Sequence, residues 1–181
     1  MRPASRSEHQ SERGLIQRTR EGDARAFAEL VRRHQEAVLS LVAPFVNSRE
    51  DAEDAVQEAF VEAWRQLDDF RGEASFRTWV GRIAIYRAMA LAKKRRPVMA
   101  DAPDWDGEGS PPPDQAEVLA AREAVLALPD EFRVPVVLRF WRDMSGREIA
   151  ELLGWEQSTV WTRIYRGLEQ VRQNLEGEER S

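Results

Sequence analysis

The sequence predicts an all-α protein with two small helical domains joined by an extended, acidic linker rich in proline and glycine. Three observations support this prediction. Apolar residues recur at helical spacing through most of the chain. The periodicity is interrupted at residues 97–114, PVMADAPDWDGEGSPPPD, where proline, glycine and acidic residues predominate. Near the C-terminus a short helix, a tight turn with a glycine and a second helix follow one another, which is the pattern of a helix-turn-helix.

Composition limits the possible functions. Hydrophobic residues make up 42% of the 181 residues, which is enough for two small cores, and the absence of cysteine fits a reducing, cytoplasmic compartment. Neither a signal peptide nor an apolar run of membrane-spanning length is recognisable, so no membrane insertion is expected. With two separated histidines and no cysteine, we expect no metal, no cofactor and no catalytic residue, which disfavours a hydrolase or nuclease.

Charge is unevenly distributed along the chain. A net charge of −5 argues against a tight, free-standing nucleic-acid binder, because sequence-independent affinity for DNA depends on many contacts of Lys and Arg with phosphate. No Lys or Arg stands between Arg96 and Arg122, whereas six acidic residues do. This acidic stretch either serves solubility or occupies a basic channel of a partner, and the sequence leaves both interpretations open.

The first domain is predicted at residues 15–96, after a polar tail at residues 1–14 that we expect to be disordered. A short helix begins near Leu15, and Asp23 is a favourable N-cap for a long, core-facing helix. His34 in that helix is predicted to be structural, since no cysteine or acidic cluster completes a metal site.

The stretch from Asp51 to Leu67 predicts a helix with two different faces. An apolar stripe on one side predicts burial, and it consists of Val56, Ala59, Phe60, Ala63, Trp64 and Leu67. The opposite side is polar apart from one valine, and it carries Asp54, Gln57, Glu58, Val61 and Arg65. The residues alone leave this side either a solvated surface or a recognition surface.

The next helix follows a loop with Gly72 and combines aromatic with basic residues. It ends before Pro97 in the basic run Lys93, Lys94, Arg95 and Arg96, which suits the helix dipole. Aromatic and basic side chains before this run include Phe70, Phe76, Trp79, Arg82 and Tyr86. Single-stranded nucleic acid requires this combination, because the cations neutralise phosphates and the rings stack on unpaired bases. The segment therefore predicts nucleic-acid contact, with simple dipole partners as the alternative.

The second domain is predicted at residues 115–175, followed by a tail at 176–181. Its first helix is predicted from about Gln115 to Leu128. The residues expected to face the core are Val118, Leu119, Val125 and Leu126. Pro129 is expected at the first position of the next helix, and Pro135 is expected to loosen or kink that helix.

The helix-turn-helix begins with a capping box of Ser145 and Glu148, and its first helix ends at Gly154. Its second helix, from Ser158 to about Leu175, is predicted to bury Val160, Ile164, Leu168, Val171 and Leu175. Such a helix places its N-terminal residues in the major groove, here Gln157, Ser158, Trp161, Thr162, Arg163, Tyr165 and Arg166. For Trp161, covering the domain core is the second interpretation.

From about residue 23 to 175, the order of these motifs resembles the extracytoplasmic-function (ECF) group of bacterial sigma factors, the small two-domain initiation subunits of RNA polymerase. DAEDAVQEAFVEAW, then F-R-G, F-x-T-W, R-I-A and a basic run, resembles region two of the family. LP-x-x-x-R, then EIAELLG and TVWTRIYRGL, resembles region four. The spacing of both sets makes the resemblance specific.

The resemblance implies a role for each surface. The side of the helix with Asp54, Gln57, Glu58, Val61 and Arg65 holds the clamp coiled coil of the largest polymerase subunit. The segment 70–96 melts the −10 element and captures flipped-out bases, residues 157–166 read the −35 element, and the linker threads toward the polymerase active site. The implied partners are core RNA polymerase, promoter DNA (duplex at −35, melted at −10) and an anti-sigma factor, with location at the nucleoid when bound to polymerase.

Five positions depart from the pattern of the family. Tyr86 stands where asparagine is usual in the pocket for a flipped base, and Ala90 where aspartate is usual. Glu156, Ser158 and Trp161 replace a small or capping residue, a glycine and a basic residue, respectively. An altered −10 base preference and an unusual −35 sequence, with fewer phosphate contacts, are therefore expected.

The alternative function is a self-sufficient helix-turn-helix regulator that binds palindromic DNA as a dimer. Such a protein requires a dimer interface and affinity for duplex DNA without polymerase. The chain has neither a heptad repeat nor a net positive charge. We therefore expect a non-enzymatic subunit that works only with core polymerase.

Overall fold

In the computed structural model, residues 6–94 and 115–178 are described, and every regular element in these ranges is a helix. The first range contains α1 (Arg6–Arg20), α2 (Ala24–Val42), α3 (Arg49–Arg65) and α4 (Phe76–Lys94). The second contains α5 (Gln115–Leu126), α6 (Asp130–Phe140), α7 (Gly146–Leu153) and α8 (Gln157–Glu178). The chain divides into two compact units, residues 1–94 and 95–181. The predicted all-α fold with two domains is confirmed, while the predicted linker lies outside the described residues.

Local signals set the ends of the helices in the first unit. The Asp23 carboxylate accepts hydrogen bonds from the backbone N–H groups of Arg25 (2.9 Å) and Ala26 (3.3 Å), so it caps α2 as predicted. The Ser48 hydroxyl caps α3 by accepting the N–H of Asp51 at 3.1 Å. Because Ser48 is the cap, α3 begins at Arg49, two residues before the predicted start.

The core of the first unit is formed by α2, α3 and α4, of which α3 and α4 pack most extensively. Short side chains make this close packing possible, and those buried on the two helices are Ala52, Ala55, Ala59 and Ala63 on α3 and Gly81, Ala84 and Ala88 on α4. Large side chains fill the remaining space, among them Leu30, Val38 and Val42 from α2 and Phe76, Ile85 and Met89 from α4. This packing fixes the position of α3 relative to α4.

The N-terminal helix is longer than predicted. Residues 6–14, expected in a disordered tail, belong to α1. Leu15 and Ile16 are buried, and Glu12 contacts His34 on α2 at 3.0 Å, so tertiary contacts hold the helix on α2. A polar composition predicts disorder only when no neighbouring surface is available, and here α2 supplies one.

In the second unit, α5, α6 and α7 all pack on α8. Arg133 is buried and donates hydrogen bonds to the Leu126 carbonyl and the Asp130 carboxylate, both at 2.8 Å, which ties α6 to the end of α5. Pro129 is the N-cap of α6, one position earlier than predicted. The helix continues through the buried Pro135, so this proline does not end α6, and a local kink at this position stays a prediction.

Two side chains predicted to face the core of the second unit are exposed. Val118 on α5 is 43% exposed, and Leu168 on α8 is 37% exposed. Val125, Val160 and Ile164 are buried as predicted. The difference arises because periodicity identifies the apolar side of a helix but not the length over which neighbours cover it. The side chain of Leu119 lies outside the described residues.

The helix-turn-helix has the predicted geometry. The Ser145 hydroxyl accepts the N–H of Glu148 at 3.3 Å, and the Glu148 carboxylate accepts the N–H of Ser145 at 2.8 Å, which completes the capping box of α7. Gly154 ends α7 in the left-handed conformation with φ of 69°, which favours glycine. This turn directs the chain into α8 and brings the exposed N-terminal half of α8 to the surface. None of the described helices is long and apolar enough to cross a membrane.

Close approach of α6 and α8 depends on Gly167. A Cβ atom at this position would lie 2.9 Å from Cγ2 of Val136 and 3.3 Å from Cβ of Phe132. Because Val136 is buried, the neighbouring helix has little room to move away.

Substituting Gly167→Ala should therefore destabilise the second unit, by about 1 kcal/mol. Overpacking costs about 1–3 kcal/mol, and the higher helix propensity of alanine returns up to about 1 kcal/mol. Chemical denaturation followed by circular dichroism measures the change. Gly14→Ala is the matched control, because a Cβ at Gly14 meets nothing within 4 Å. Equal or greater stability of the Gly167 variant would show that α6 and α8 tolerate a wider separation.

Candidate functional site

The outer side of α3 presents the predicted recognition residues. Gln57, Glu58, Val61 and Arg65 are exposed, and Asp54 is half-buried. Val61 is 45% exposed among these polar neighbours. The structure thus brings all five residues of this side together on one surface, which we call the α3 face.

A groove of about 590 Å³ runs along the α3 face, between α3 and α2. Its apolar lining comes from Phe27, Val31 and Leu39 on α2 and from Val56, Phe60, Val61 and Trp64 on α3. Its polar lining comes from Gln35, Glu36, Arg49, Glu53 and Gln57. Gln57 and Val61 therefore belong both to the α3 face and to the wall of this groove. The periodicity of α3 did not reveal the groove, because five of its twelve lining residues belong to α2.

Trp64 is a correction to the predicted core stripe. It is 40% exposed and lines the groove, with its ring edge-on to Phe27 at 4.8 Å between centroids. The other members of the stripe are buried, Phe60 at 5% and Leu67 at 3% exposure. Trp64 lies at the margin of the stripe, where the position of α2 decides whether a side chain is covered.

The opposite edge of the α3 face is linked to α4 by Arg87. Its guanidinium lies 3.3 Å from the carboxylate of Glu62 and 4.0 Å from that of Glu58. These groups are partly exposed, so the pair adds little to stability. The ion pair instead positions a side chain, because it holds Arg87 of α4 against α3.

The aromatic residues around the start of α4 form a cluster in which two members are covered. Phe76 is fully buried and Phe70 is 9% exposed, with 6.0 Å between their ring centroids. Trp79 is half-buried and packs on both, at 5.0 Å from Phe70 and 5.9 Å from Phe76. Both rings are covered in this structure, so direct contact of Phe70 and Phe76 with nucleic acid stays a prediction that would require them to become exposed. They support Trp79 from below.

The remaining predicted residues of α4 form a stripe along the helix. Trp79, Arg82, Tyr86 and Lys93 follow at intervals of three, four and seven residues, which places them on one side. Tyr86 is 48% exposed, and the exposed Ala90 lies beside it. We call this side the α4 stripe. Lys94 is exposed about a quarter-turn away, and Arg95 and Arg96 lie outside the described residues.

Arg20 on α1 holds the segment that leads into this cluster. Its guanidinium donates to the Leu67 carbonyl at 3.0 Å and also to the Phe70 carbonyl. Both acceptors lie just after α3, and the Leu67 carbonyl also accepts the Phe70 N–H at 3.2 Å in the short turn Leu67–Asp69. Sequence reasoning missed this residue, because the partners are about fifty positions apart and nothing local marks the contact.

His34 has the structural role that was predicted. Its Nε2 lies 3.0 Å from the Glu12 carboxylate, and its ring lies 5.6 Å from that of Phe76. Burial lowers the pKa of His34, and the nearby Glu12 only partly opposes this shift. The side chain therefore joins α1, α2 and α4. Among the described residues, no group of three or more His, Asp or Glu side chains could hold a metal ion.

On α8 most of the predicted DNA-contacting residues share the exposed side. Gln157, Ser158, Thr162, Tyr165 and Arg166 are all exposed, and Tyr165 reaches 66%. Thr162 and Arg166 stand one turn apart, and Ser158 stands one turn before Thr162. These residues lie in the N-terminal half of α8, the second helix of the motif. In helix-turn-helix proteins this half of the second helix makes the base contacts.

Arg163 and Trp161 instead turn toward the protein. The Arg163 guanidinium lies over the Trp155 ring at 4.3 Å and within 3.5 Å of the Glu131 carboxylate. Trp161 is half-buried and packs against the first residue of α7, Gly146. For Trp161, the second interpretation, covering the core, agrees with the structure.

Comparison with known families assigns both units. Residues 30–97 match Sigma-70 region 2, and residues 118–171 match Sigma-70, region 4. The first match contains the α3 face and the α4 stripe, and the second contains the helix-turn-helix.

Curated relatives match along nearly the whole chain. The RNA polymerase sigma-H factor of Pseudomonas aeruginosa is 34% identical, covering 90% of this chain and 92% of the relative. The ECF RNA polymerase sigma-E factor of Escherichia coli K12 is 35% identical, covering 91% and 94%. The solved structure of CnrH in complex with the cytosolic domain of CnrY is similar, with 29% identity, a TM-score of 0.59 and coverage of 92% and 98%. The chain belongs to the sigma-70 family of RNA polymerase sigma factors, within its ECF group.

The contrast between Phe76 and Tyr86 predicts different effects on stability. Phe76→Ala should destabilise the first unit by about 3–5 kcal/mol, because it leaves a cavity beneath Trp79. Tyr86→Ala should change stability by less than about 0.5 kcal/mol, as expected for an exposed side chain. Denaturant unfolding of both variants measures the difference. A large loss in the Tyr86 variant would mean that this ring has a structural function.

Proposed function

We propose that this chain is a non-enzymatic, cytoplasmic initiation subunit that gives core RNA polymerase its promoter specificity. In this proposal the α3 face docks on polymerase, the α4 stripe holds the melted −10 strand, and the exposed side of α8 reads the −35 element. The observation that supports the proposal is that two helices of the first unit expose different kinds of side chain. On α3 an apolar groove has polar sides, whereas α4 exposes aromatic and basic side chains.

The α3 face and its groove are suited to a helical protein partner. Apolar side chains in the groove can receive the apolar side of an amphipathic helix. Glu58 and Arg65 at the margin are exposed and can pair with charges of either sign on the partner. The partner that the family implies is the clamp coiled coil of the polymerase, and the helices of a coiled coil are amphipathic.

The α4 stripe is suited to an unpaired strand. Flipping a base out of a duplex costs a few kcal/mol, and stacking on an aromatic side chain returns about 1–3 kcal/mol per base. Tyr86 offers an exposed ring for such stacking, and Arg82 and Lys93 lie on the same side for the phosphates. Because a ring stacks on any base, we expect the base preference at this position to be relaxed.

Weak binding of DNA by the free subunit is consistent with this proposal. The chain is acidic, with a net charge of −5, so polymerase must supply much of the affinity. Association with the nucleoid would then follow from polymerase. An anti-sigma factor is the further partner we propose, since the similar protein CnrH forms a complex with the cytosolic domain of CnrY.

Val61→Asp should weaken binding to core polymerase at least about tenfold, because it places an unpaired carboxylate in an apolar contact. Gln57→Ala should weaken binding less, since only an amide is lost. Titration of core polymerase with labelled protein measures both. The fold should persist, because both residues are exposed.

Val118→Asp is the matched control for the Val61 variant. It is the same substitution at nearly the same exposure, 43% against 45%, but in the other unit. Wild-type affinity is expected for it. If Val61→Asp and Gln57→Ala both bind as tightly as wild type, the α3 face is not the docking surface.

Arg166→Ala should reduce initiation only through the −35 element, by roughly five- to a hundredfold, since a good arginine–guanine pair contributes about 1–3 kcal/mol of discrimination. Runoff transcription by the holoenzyme, on an intact promoter and on a premelted template without the −35 element, measures the effect. Arg172→Ala is the control, because that guanidinium pairs with Glu169 and Glu176 further along α8. Equal loss on both templates would contradict the assignment. Activation without core polymerase would instead favour the self-sufficient regulator.

A further inference from the structure

Trp161 and Gly146 fit together across the helix-turn-helix. An ideal Cβ built on Gly146 would lie 2.8 Å from Cε2 and Nε1 of the Trp161 indole, closer than real Cβ contacts. Gly146 is the first residue of α7, directly after the N-cap Ser145. The indole of α8 therefore occupies space that any other residue at position 146 would fill. This pair fixes the distance between the start of α7 and the first turns of α8.

Trp161 also contacts the most exposed ring of α8. Its ring centroid lies 6.1 Å from that of Tyr165, with 30° between the ring planes. The two residues are four positions apart and so stand one above the other on the helix. Tyr165 is 66% exposed, whereas Trp161 is half-buried. The order from protein to solvent is thus Gly146, Trp161, Tyr165.

Ordering of an exposed side chain has a direct consequence for binding. An exposed tyrosine loses rotamer freedom when it is fixed in a complex, and this loss opposes binding. A neighbouring ring that already restricts the tyrosine reduces the loss. Trp161 is placed to do this, because α7 prevents the indole from moving away from Tyr165 on the side of Gly146.

We propose that Trp161 is a positioning residue for −35 recognition: seated on Gly146, it holds the ring of Tyr165 in place, and Tyr165 makes the contact with DNA. The inference rests on the proposed function, in which the exposed side of α8 reads the −35 element. It explains how an uncharged Trp161 can serve a DNA-reading helix without itself binding phosphate.

A double-mutant cycle in the holoenzyme tests the inference. Initiation is measured on a library of promoters with a randomised −35 duplex, using wild type, Trp161→Ala, Tyr165→Ala and the double variant. Trp161→Ala and Tyr165→Ala should each lose preference at the same base pair, by about fivefold or more. The double variant should be no worse than Tyr165→Ala alone, because both substitutions remove one contact. Multiplicative losses at different base pairs would overturn the proposal, since Trp161 would then contact DNA itself.

Gly146 provides an independent arm of the test. Gly146→Ala should displace the indole and reproduce the preference profile of Trp161→Ala. In the Trp161→Ala background the same substitution should have no further effect, because the space is then open. Trp161→Phe, which keeps a ring in this position, should recover part of the preference. An additional loss from Gly146→Ala in the Trp161→Ala background would also overturn the proposal.

Folding and the proposed function are controlled separately. Circular dichroism of each variant, and initiation on a premelted template without the −35 element, should match wild type. If Tyr165→Ala and Arg166→Ala both initiate normally at −35-dependent promoters, the proposed function of α8 fails. If those two variants lose preference while Trp161→Ala retains it, only the positioning role of Trp161 fails.

Discussion

The close packing of α3 on α4 is the constraint on which the first unit depends. Alanine and glycine residues let the two helices approach closely, so larger residues lie on the remaining sides. On α3 this leaves an outer face and a groove against α2. On α4 the largest exposed apolar side chain is Tyr86, which lies on the α4 stripe. One packing arrangement therefore presents two surfaces of different chemistry, which the proposed function assigns to a protein partner and to an unpaired strand.

The sequence was sufficient where local interactions decide the structure. Helix caps and turns depend on residues within a few positions of one another, so the sequence predicts them. Examples are the cap at Asp23, the capping box of Ser145 and Glu148, and the turn at Gly154. The fold class follows from these signals together with helical periodicity. Which residues share the α3 face, and which share the exposed side of α8, could be predicted in the same way, because each surface is formed by one helix.

The sequence was not sufficient where a second element decides exposure. Phe76 and Tyr86 are aromatic residues of one helix, yet only the position of α2 and α3 makes the first a core residue. The position of Arg163 on α8 predicts base contact, but its guanidinium lies against Trp155 and Glu131, which belong to other elements. The groove beside Val61 likewise requires α2. Pairings over a long sequence separation leave no periodic signal.

The contact of Arg20 with the carbonyl groups of Leu67 and Phe70 extends the functional unit toward the N-terminus. The match to Sigma-70 region 2 begins at residue 30, so α1 lies wholly before it. Nevertheless Arg20 of α1 supplies the cation that binds the Leu67 and Phe70 carbonyl groups, between α3 and α4. A chain shortened to begin where the family similarity starts would keep the α3 face and the α4 stripe but lose the hydrogen bonds that hold the segment between α3 and α4.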